Sequence, residues 1–225
     1  MKKLSLILLI IGLGVTVYAQ NTDIRKLKAF TSLTVSEGID VNLIKGASPQ
    51  AKITVRGIDL KDVLTEVSGD ELKIHLDGHS HNNVEVSIEL TYVTLESINA
   101  NSAADVKSSS VIEANTFKIK ASSAADISLK LKVKQLDVDG SSAADILLSG
   151  YADIQTVDIS SASDYKAFEL ISKSATISAS SASDAKINVT EQLDASANSG
   201  ASIKYKGNPD KVREHSSSGG DVEQY

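Results

Sequence analysis

A five-residue phrase of small residues, usually ending in aspartate, recurs through the second half of this chain. The last residues of consecutive copies are 21, 19, 19, 20, 18 and 19 positions apart. Seven copies at so regular a spacing indicate a structural period, in which each unit buries its apolar face against its neighbours. The copies are Asn101–Asp105, Ser122–Asp126, Ser141–Asp145, Ser160–Asp164, Ser180–Asp184, Asn198–Ser202 and Ser217–Asp221.

Apolar and polar residues alternate on both sides of the phrase. Before the second copy, Phe117, Ile119 and Ala121 occupy alternate positions, and after it Ile127 and Leu129 do the same. Alternation with a period of two is typical of a strand with one buried face. Each repeat therefore predicts a strand, a small-residue corner, a second strand and a polar corner.

The length of the repeat favours one all-β architecture. At about 3.3 Å per residue one repeat spans roughly 60 Å, which suits one circuit of a three-sided β-helix. Propeller blades need about 40 residues or more. Stacked circuits pair equivalent strands in parallel. Because the six-residue period of left-handed β-helices is missing, the sequence predicts a single-stranded right-handed parallel β-helix with coils of about 19 residues over residues 96–225.

Residues 20–95 are rich in strand patterns but lack the phrase. The segments 33–38 and 40–44 read as two strands paired with each other. Since a solenoid needs atypical ends that cover its terminal coils, this region predicts a strand-rich N-terminal cap. Irregular first coils of the same helix are the alternative.

The third position of the phrase holds only alanine or glycine. We expect a corner there at which the backbone or a neighbouring coil leaves no room for a larger side chain. If the coils lie directly over one another, these residues form a row one strand spacing apart. They are Ala103, Ala124, Ala143, Ala162, Ala182, Gly200 and Gly219.

The first 19 residues have the pattern of a signal peptide. Lys2 and Lys3 precede an apolar stretch, and Val17-Tyr18-Ala19 presents a signal-peptidase site. The apolar run is about 14 residues, shorter than the roughly 20 of a spanning helix. No later segment predicts a membrane-spanning helix after signal cleavage. We therefore expect an exported protein in the periplasm, at the outer-membrane surface or outside the cell.

The amino-acid composition limits the classes of partner and cofactor to be expected. The chain has no cysteine, so neither disulfides nor a lipid-modified cysteine are expected. Removal of Lys2 and Lys3 with the signal peptide changes the formal charge from −6 to −8. An acidic chain without a cluster of basic residues is a poor ligand for nucleic acid or anionic lipid. No cofactor is expected beyond a weak indication of calcium.

The indication of calcium comes from the aspartates that end the copies, which should line one edge of the solenoid. Two carboxylates about 4.8 Å apart repel by roughly 0.9 kcal/mol in water, and calcium prefers such oxygen ligands. The nine-residue period of calcium-binding β-rolls is absent, however. The favoured interpretation is that each aspartate accepts hydrogen bonds from amides of its own turn. The candidate metal residues are Asp105, Asp126, Asp145, Asp164 and Asp184, with Asp221 continuing the series.

Two further patterns favour structure over chemistry. The serines beside the aspartates, Ser102 through Ser218, predict a hydrogen-bonded ladder. His75, His79 and His81 lie within seven residues, but no further ligand with site-like spacing accompanies them. A solvated hairpin loop is the better interpretation of the histidines.

An enzyme is the alternative class, because polysaccharide lyases and hydrolases occur on right-handed β-helices. Such enzymes need a general base and clustered acids beside a cleft. The chain offers only Arg25, Arg56 and Arg213 as arginine bases. Acids that recur at every coil follow from the repeat and do not indicate a unique site. We therefore expect a protein without catalytic residues.

The order of features resembles a known family. An exported leader precedes Phe30–Leu43, a strand pair follows at 84–98, and small-residue corners then lead to Ile203–Val212. This arrangement resembles the auto-transporter adhesin head domain of the GIN type, common in Bacteroidota, over nearly all of residues 25–225. The family's usual Ser-Gly-Ser-Gly corner is here largely Ala and Asp.

The resemblance implies a parallel β-helix in the periplasm or at the cell surface and brings no catalytic motif. The prediction is an exported, non-enzymatic module, adhesin-like or structural, for a repetitive glycan or other surface polymer. An envelope protein is another partner to expect, and the exposed last coil allows an oligomer. The runner-up is a polysaccharide lyase or hydrolase on the same scaffold.

Overall fold

The structure is a computed structural model that describes residues 21–78 and 83–225. The predicted signal peptide, residues 1–19, and the loop histidines His79 and His81 lie outside the described residues. Within the described ranges the chain forms sixteen strands and one short 3-10 turn, Leu60–Asp62, with no α-helix. No helix in this part of the chain has the length and hydropathy that a bilayer crossing requires.

The strands fall into two groups. The first group is β1 (Asn21–Lys26), β2 (Ser32–Val35), β3 (Asp40–Lys45), β4 (Gln50–Arg56), β5 (Val63–Ser68), β6 (Glu71–Leu76), β7 (Glu85–Tyr92) and β8 (Ser97–Ala100). The second group is β9 (Asp105–Ala121), β10 (Asp126–Gly140), β11 (Asp145–Ile159), β12 (Asp164–Ala179), β13 (Asp184–Ala197), β14 (Ser202–Lys206), β15 (Lys211–Ser216) and β16 (Asp221–Gln224).

The long strands β9 to β13 stack in chain order, each parallel to the next. In β10, Asp126 lies opposite Asp105 of β9 on one side and opposite Asp145 of β11 on the other. One repeat is therefore one coil, and equivalent residues lie above one another. The predicted parallel β-helix with coils of about 19 residues is confirmed, as a solenoid of about seven turns.

Each long strand changes direction at a polar corner. Along β10 alternate residues from Ile127 to Val133 are buried, then Lys134 and Gln135 are both exposed, and alternation resumes at Leu136. Two consecutive exposed residues mark the point where the inward face passes to the next side of the coil. The chain thus keeps an apolar interior on both sides of this corner.

Each small-residue corner is a tight turn with two residues in the left-handed region. Ser142 and Ala143 have φ values of 54° and 61°, and the amide of Ala144 donates to the carbonyl of Ser141 at 3.3 Å. Two central residues with positive φ define a primed turn. The amide of Ala143 also donates to the carbonyl of Ser161 in the next coil at 3.0 Å, so the corners are hydrogen-bonded to one another.

The alanines of these turns form the predicted row, but for a different reason than crowding. Ala143 is exposed, and a Cβ added to Gly200 or Gly219 would meet no atom within 4 Å. Small residues are favoured because bulky side chains avoid the left-handed backbone region. The buried position is the next one, where Ala125 and Ala144 are at most 1% exposed.

The first coil of this kind is formed by β2 and β3. Glu37 and Gly38 between them have φ values of 66° and 67°, and the Gly38 amide donates to the Ser102 carbonyl at 2.9 Å. The prediction that segments 33–38 and 40–44 pair with each other is wrong, because this turn is a solenoid corner that sends them into different sides. β2 pairs with β6 and β8, and β3 pairs with β7 and β9.

Antiparallel strands cover the N-terminal end of the solenoid. β4 pairs with β7, β1 pairs with β4, and β5 pairs with β6. Arg25 of β1 lies in register with the buried Ala51, and its guanidinium donates to the carbonyls of Val63 at 2.5 Å and Leu60 at 2.7 Å. Arg25 therefore connects β1 to the start of β5 and to the 3-10 turn before it, across the end of the apolar interior.

Candidate binding surface

One aspartate from each coil lies in a single row along the outside of the solenoid. The row begins with Asp40, which is opposite Asp105 although 65 positions separate the two in the chain. Ser202 takes the place of aspartate in one coil and lies opposite Asp184 and Asp221. We call this row the acidic column. Its members are Asp40, Asp105, Asp126, Asp145, Asp164, Asp184 and Asp221.

Sequence reasoning missed Asp40, because its corner, Ser36-Glu-Gly-Ile-Asp40, lacks the repeated phrase. A usable signal was present. Gly38 stands two positions before Asp40, as Ala103 stands two before Asp105. A small residue two positions before an aspartate is the feature that this corner shares with the repeated phrase.

A second row lies beside the acidic column, because residues two apart on a strand point to the same side. It is rich in lysine, and we call it the lysine column. Its members, in register across β9 to β14, are Lys107, Ser128, Leu147, Lys166, Lys186 and Lys204.

Lysines neutralise the acidic column at several points. The ammonium of Lys107 is hydrogen-bonded to Asp105. Lys166 lies 2.5 Å from Asp145 Oδ2 and 3.2 Å from Asp164 Oδ2, so it joins two coils. The hydrogen bond to Asp145 raises the pKa of Lys166 above its ordinary value. These ion pairs are partly exposed, and pairs of this kind contribute only about 0–1 kcal/mol each.

Asp126, in the middle of the surface, has no direct ion pair among the described residues, and the charges of Lys107 and Lys166 offset the rise in its pKa only in part. Beside it in the lysine column lie Ser128 on its own strand, Leu147 on the following strand and Lys107 on the preceding one. Burial, followed by the carboxylates of Asp105 and Asp145, raises the pKa of Asp126. A groove of about 360 Å³ lies here. Its lining is Asp105, Lys107, Asp126, Ile127, Ser128, Asp145, Leu147 and Lys166.

The turn amides do not bind the acidic column. The amide of Asp126 donates to the Ala104 carbonyl at 2.9 Å, and the Ala125 amide donates to Ser122 at 3.3 Å. In the described ranges, the side-chain hydrogen bonds of the column's carboxylates go to lysines. The aspartates therefore differ from the capping role expected from sequence, because the backbone already engages the amides. The serine ladder likewise runs through backbone carbonyls, not hydroxyls.

Metal ligation remains a prediction. Across residues 21–78 and 83–225, no three His, Asp or Glu side chains are grouped so that they could hold an ion. His75, the described member of the histidine cluster, lies 3.3 Å from Glu66 Oε2 through Nε2 and 3.1 Å from the Leu76 carbonyl through Nδ1. A calcium role for the aspartates of the acidic column stays a hypothesis from the sequence.

The arginines lie at the two ends of the strand order. Arg25 and Arg56 belong to β1 and β4 at one end of the solenoid, and Arg213 belongs to β15 at the other. Arg56 contacts Glu85 at 3.4 Å, and Arg213 contacts Asp194 at 3.7 Å. Arg25 donates to the carbonyls of Leu60 and Val63, as described above.

Comparison with known proteins identifies the family of this chain. The model of the family described as "Putative auto-transporter adhesin, head GIN domain" matches residues 29–209. The chain belongs to this family. The GIN resemblance predicted from the corner phrase and the Phe30–Leu43 segment is thereby confirmed. No curated protein sequence matches the chain.

Solved structures share the fold at low sequence identity. A putative adhesin from Bacteroides fragilis NCTC 9343 is 19% identical with a TM-score of 0.84, covering 92% of this chain and 97% of its own. A putative adhesin from Parabacteroides merdae is also 19% identical, with a TM-score of 0.76 and coverage of 92% and 96%. A putative lipid binding protein from Parabacteroides distasonis is 18% identical, with a TM-score of 0.71 and the same coverage. These similarities show the GIN-domain fold.

Proposed function

We propose that this protein is an exported, non-enzymatic, adhesin-like module that holds a repetitive surface polymer, such as a glycan, along its acidic and lysine columns. The main support for this proposal is the register of the parallel strands. The same two outward positions recur on successive coils from β9 to β14, one strand spacing apart.

Repetition suits a repetitive ligand. Each exposed carboxylate or ammonium gives a weak contact to a hydroxyl or charged group, and linked weak contacts raise the overall affinity without any single strong one. The columns offer acceptors and donors side by side, as with Lys166 between Asp145 and Asp164. A polymer whose units repeat at a length close to the strand spacing would meet the same pair again at each coil.

Three features favour binding over catalysis. The family is described as an adhesin head domain. The acids of the columns are repeated and not unique, and the three arginines lie at opposite ends of the strand order. The predicted signal peptide supports export to the periplasm or the cell surface. A polysaccharide lyase or hydrolase is the competing function, and an envelope protein is the competing partner.

The test compares binding to a long polymer with binding to its short oligomer. The mature protein is incubated with a panel of insoluble bacterial and plant polysaccharides, and the bound fraction is measured. We expect the double variant Lys166→Gln/Lys186→Gln to lose affinity for the polymer at least tenfold and for the oligomer only slightly. Lys120→Gln, on the other side of the coil, is the matched control.

Two results would overturn the proposal. One is equal affinity for polymer and oligomer, or no polysaccharide bound at all. The other is the appearance of new reducing or unsaturated ends that a single substitution abolishes, since this would show an enzyme.

A further inference from the structure

A second groove lies at the polar corner of the coils, away from the acidic column. Its volume is about 540 Å³, within the range of sites for small ligands. We call it the Tyr151 groove. It is lined by Glu113, Ala114, Asn115, Lys132, Val133, Lys134, Tyr151 and Asp153.

The ring of Tyr151 is held in place. Its hydroxyl donates a 3.0 Å hydrogen bond to Asp153 Oδ1, and the same carboxylate oxygen lies 2.7 Å from Lys173 Nζ. The lysine first, and then the phenol, lower the pKa of Asp153. A ring fixed in this way loses little conformational freedom when a ligand packs against it.

Tyr151 is also available for a ligand. In the described ranges only Tyr151, Phe168 and Tyr225 bring aromatic rings to the surface. Phe168 and Tyr225 pack together with centroids 5.2 Å apart, and Lys206 lies over both rings. The ring of Tyr151 has no such cover. Ile171, in register on the next coil and 46% exposed, extends its apolar surface.

The charge of the groove differs from that of the whole protein. Asp153 is paired with Lys173, and Glu113 lies 3.7 Å from Lys132. Lys134 has no carboxylate within 4 Å among the described residues. Three lysines, Lys132, Lys134 and Lys173, therefore face two carboxylates beside a partly exposed ring, so one positive charge is in excess in a chain whose formal net charge is −6.

These features match one class of ligand. An apolar platform beside convergent polar groups is the usual composition of a small-ligand site, and the C–H face of a sugar ring packs on such a platform. Asn115 and Glu113 offer partners for hydroxyl groups. The ammonium of Lys134 favours a negative group on the ligand, because it has no direct ion pair and interacts with Asp153 only at longer range.

We propose that the Tyr151 groove binds an anionic saccharide unit, such as a uronate residue, with the ring on Tyr151 and the carboxylate at Lys134. This inference rests on the proposed function and names one class of polymer for it. The occupant is a carbohydrate and not a lipid or a peptide, because the apolar platform consists only of Tyr151 with Ile171 beside it and is flanked by polar side chains on the groove wall.

The test uses isothermal titration of the mature protein with an oligogalacturonate of defined length. A neutral maltooligosaccharide of the same length is the comparison ligand. We expect binding of the acidic probe only, weakened at least tenfold by Tyr151→Ala and several-fold by Lys134→Gln. Tyr151→Phe keeps the platform and should stay within about threefold of the native protein. Thermal melting shows whether each variant is folded.

The inference fails if the native protein does not bind the acidic probe, if it binds both probes equally, or if a folded Tyr151→Ala variant binds unchanged. Lys120→Gln, which lies in neither the Tyr151 groove nor the lysine column, is the control and should leave oligogalacturonate binding intact. Polymer binding that depends on Lys166 and Lys186, without binding of the acidic probe, would overturn this inference alone. The reverse result would overturn the proposed function alone.

Discussion

The phenol of Tyr205 in β14 donates a 2.9 Å hydrogen bond to Oε1 of Glu214 in β15, on another side of the same coil. Glu214 stands in register with the buried Ala195, so it occupies an inward position of the last coil. Burial and this hydrogen bond raise the pKa of Tyr205. The interior thus ends in a polar group at this end, as Arg25 ends it at the other. Repeat proteins require such polar terminal units for solubility.

Replacement of this polar end should cause association. We expect Glu214→Leu to produce larger species that increase with protein concentration, because it adds apolar surface at an already exposed strand end. Sedimentation velocity measures the effect. Glu223→Leu, which faces outward beside Lys204, is the matched control and should sediment like the native protein. Identical sedimentation of both variants would contradict a capping role for Glu214.

The corner turns predict a stabilising substitution. Ala143→Gly relieves a left-handed conformation that costs about 1–2 kcal/mol, although glycine loses about 0.5–1 kcal/mol more chain entropy on folding. The net expectation is a gain of about 0.5 kcal/mol in the free energy of unfolding, measured by urea titration. Ala144→Gly is the control, because Ala144 is buried and lacks positive φ. It should destabilise the protein, and a gain there would refute the argument.

Asp126 predicts a dependence on pH. Because its pKa is raised in the folded state, folding favours its protonated form, and that favourable contribution is lost as the pH rises through the folded pKa. At neutral pH the charge therefore opposes folding. We expect Asp126→Asn to raise Tm at pH 7 and to differ little from the native protein near pH 3. Asp210→Asn, in an exposed segment, should show no such pH-dependent difference. An equal effect at both pH values would show that charge is not the cause.

Calcium binding makes a separate prediction. If the acidic column takes up a divalent cation, millimolar calcium should raise the Tm of the native protein and raise it less in Asp145→Asn, since one ligand is missing. Equal concentrations of magnesium and of sodium chloride control for screening. No shift with calcium, or the same shift in the variant, would retire the hypothesis.

A buried polar network crosses the apolar interior at Gln155. Its side-chain amide donates to Ser172 Oγ at 2.7 Å, and its carbonyl accepts from the Tyr165 hydroxyl at 2.8 Å. We expect Gln155→Leu to cost about 1–3 kcal/mol of unfolding free energy, because the phenol is left without a partner in a dry core. Adding Tyr165→Phe should recover part of this loss in urea titrations. A double variant no more stable than the single one would show that the network is not the reason.

The sequence predicted the regular part of the fold well for a simple physical reason. In a solenoid the neighbour of a residue is its own equivalent one period away, so the step from Asp126 to Asp145 also defines a strand pair. The N-terminal region was harder. Asp40 and Asp105 lie opposite each other although 65 positions separate them in the chain. The segment between them contains antiparallel strands, which no periodicity in the sequence predicts.

The polar residues of the binding surface also fall into those that the repeat predicts and those that it does not. That the acidic column exists follows from the repeat, but its pairing with Lys107 and Lys166 does not, because Ser128 and Leu147 interrupt the lysine column without any change in spacing. Gln155 occupies an inward position like its neighbour Leu136 and could not be identified as a buried polar group from alternation alone.

By itself the sequence determined the period, the parallel stacking, the row of aspartates and the family, since all of these are repeated or contiguous in the chain. Only the tertiary structure decided which corner begins the series, which carboxylates of the acidic column pair with a lysine, how the two ends are closed and which side chains surround Tyr151. These features depend on single side chains of neighbouring coils, and their contacts are set by distance in space and not by position in the chain.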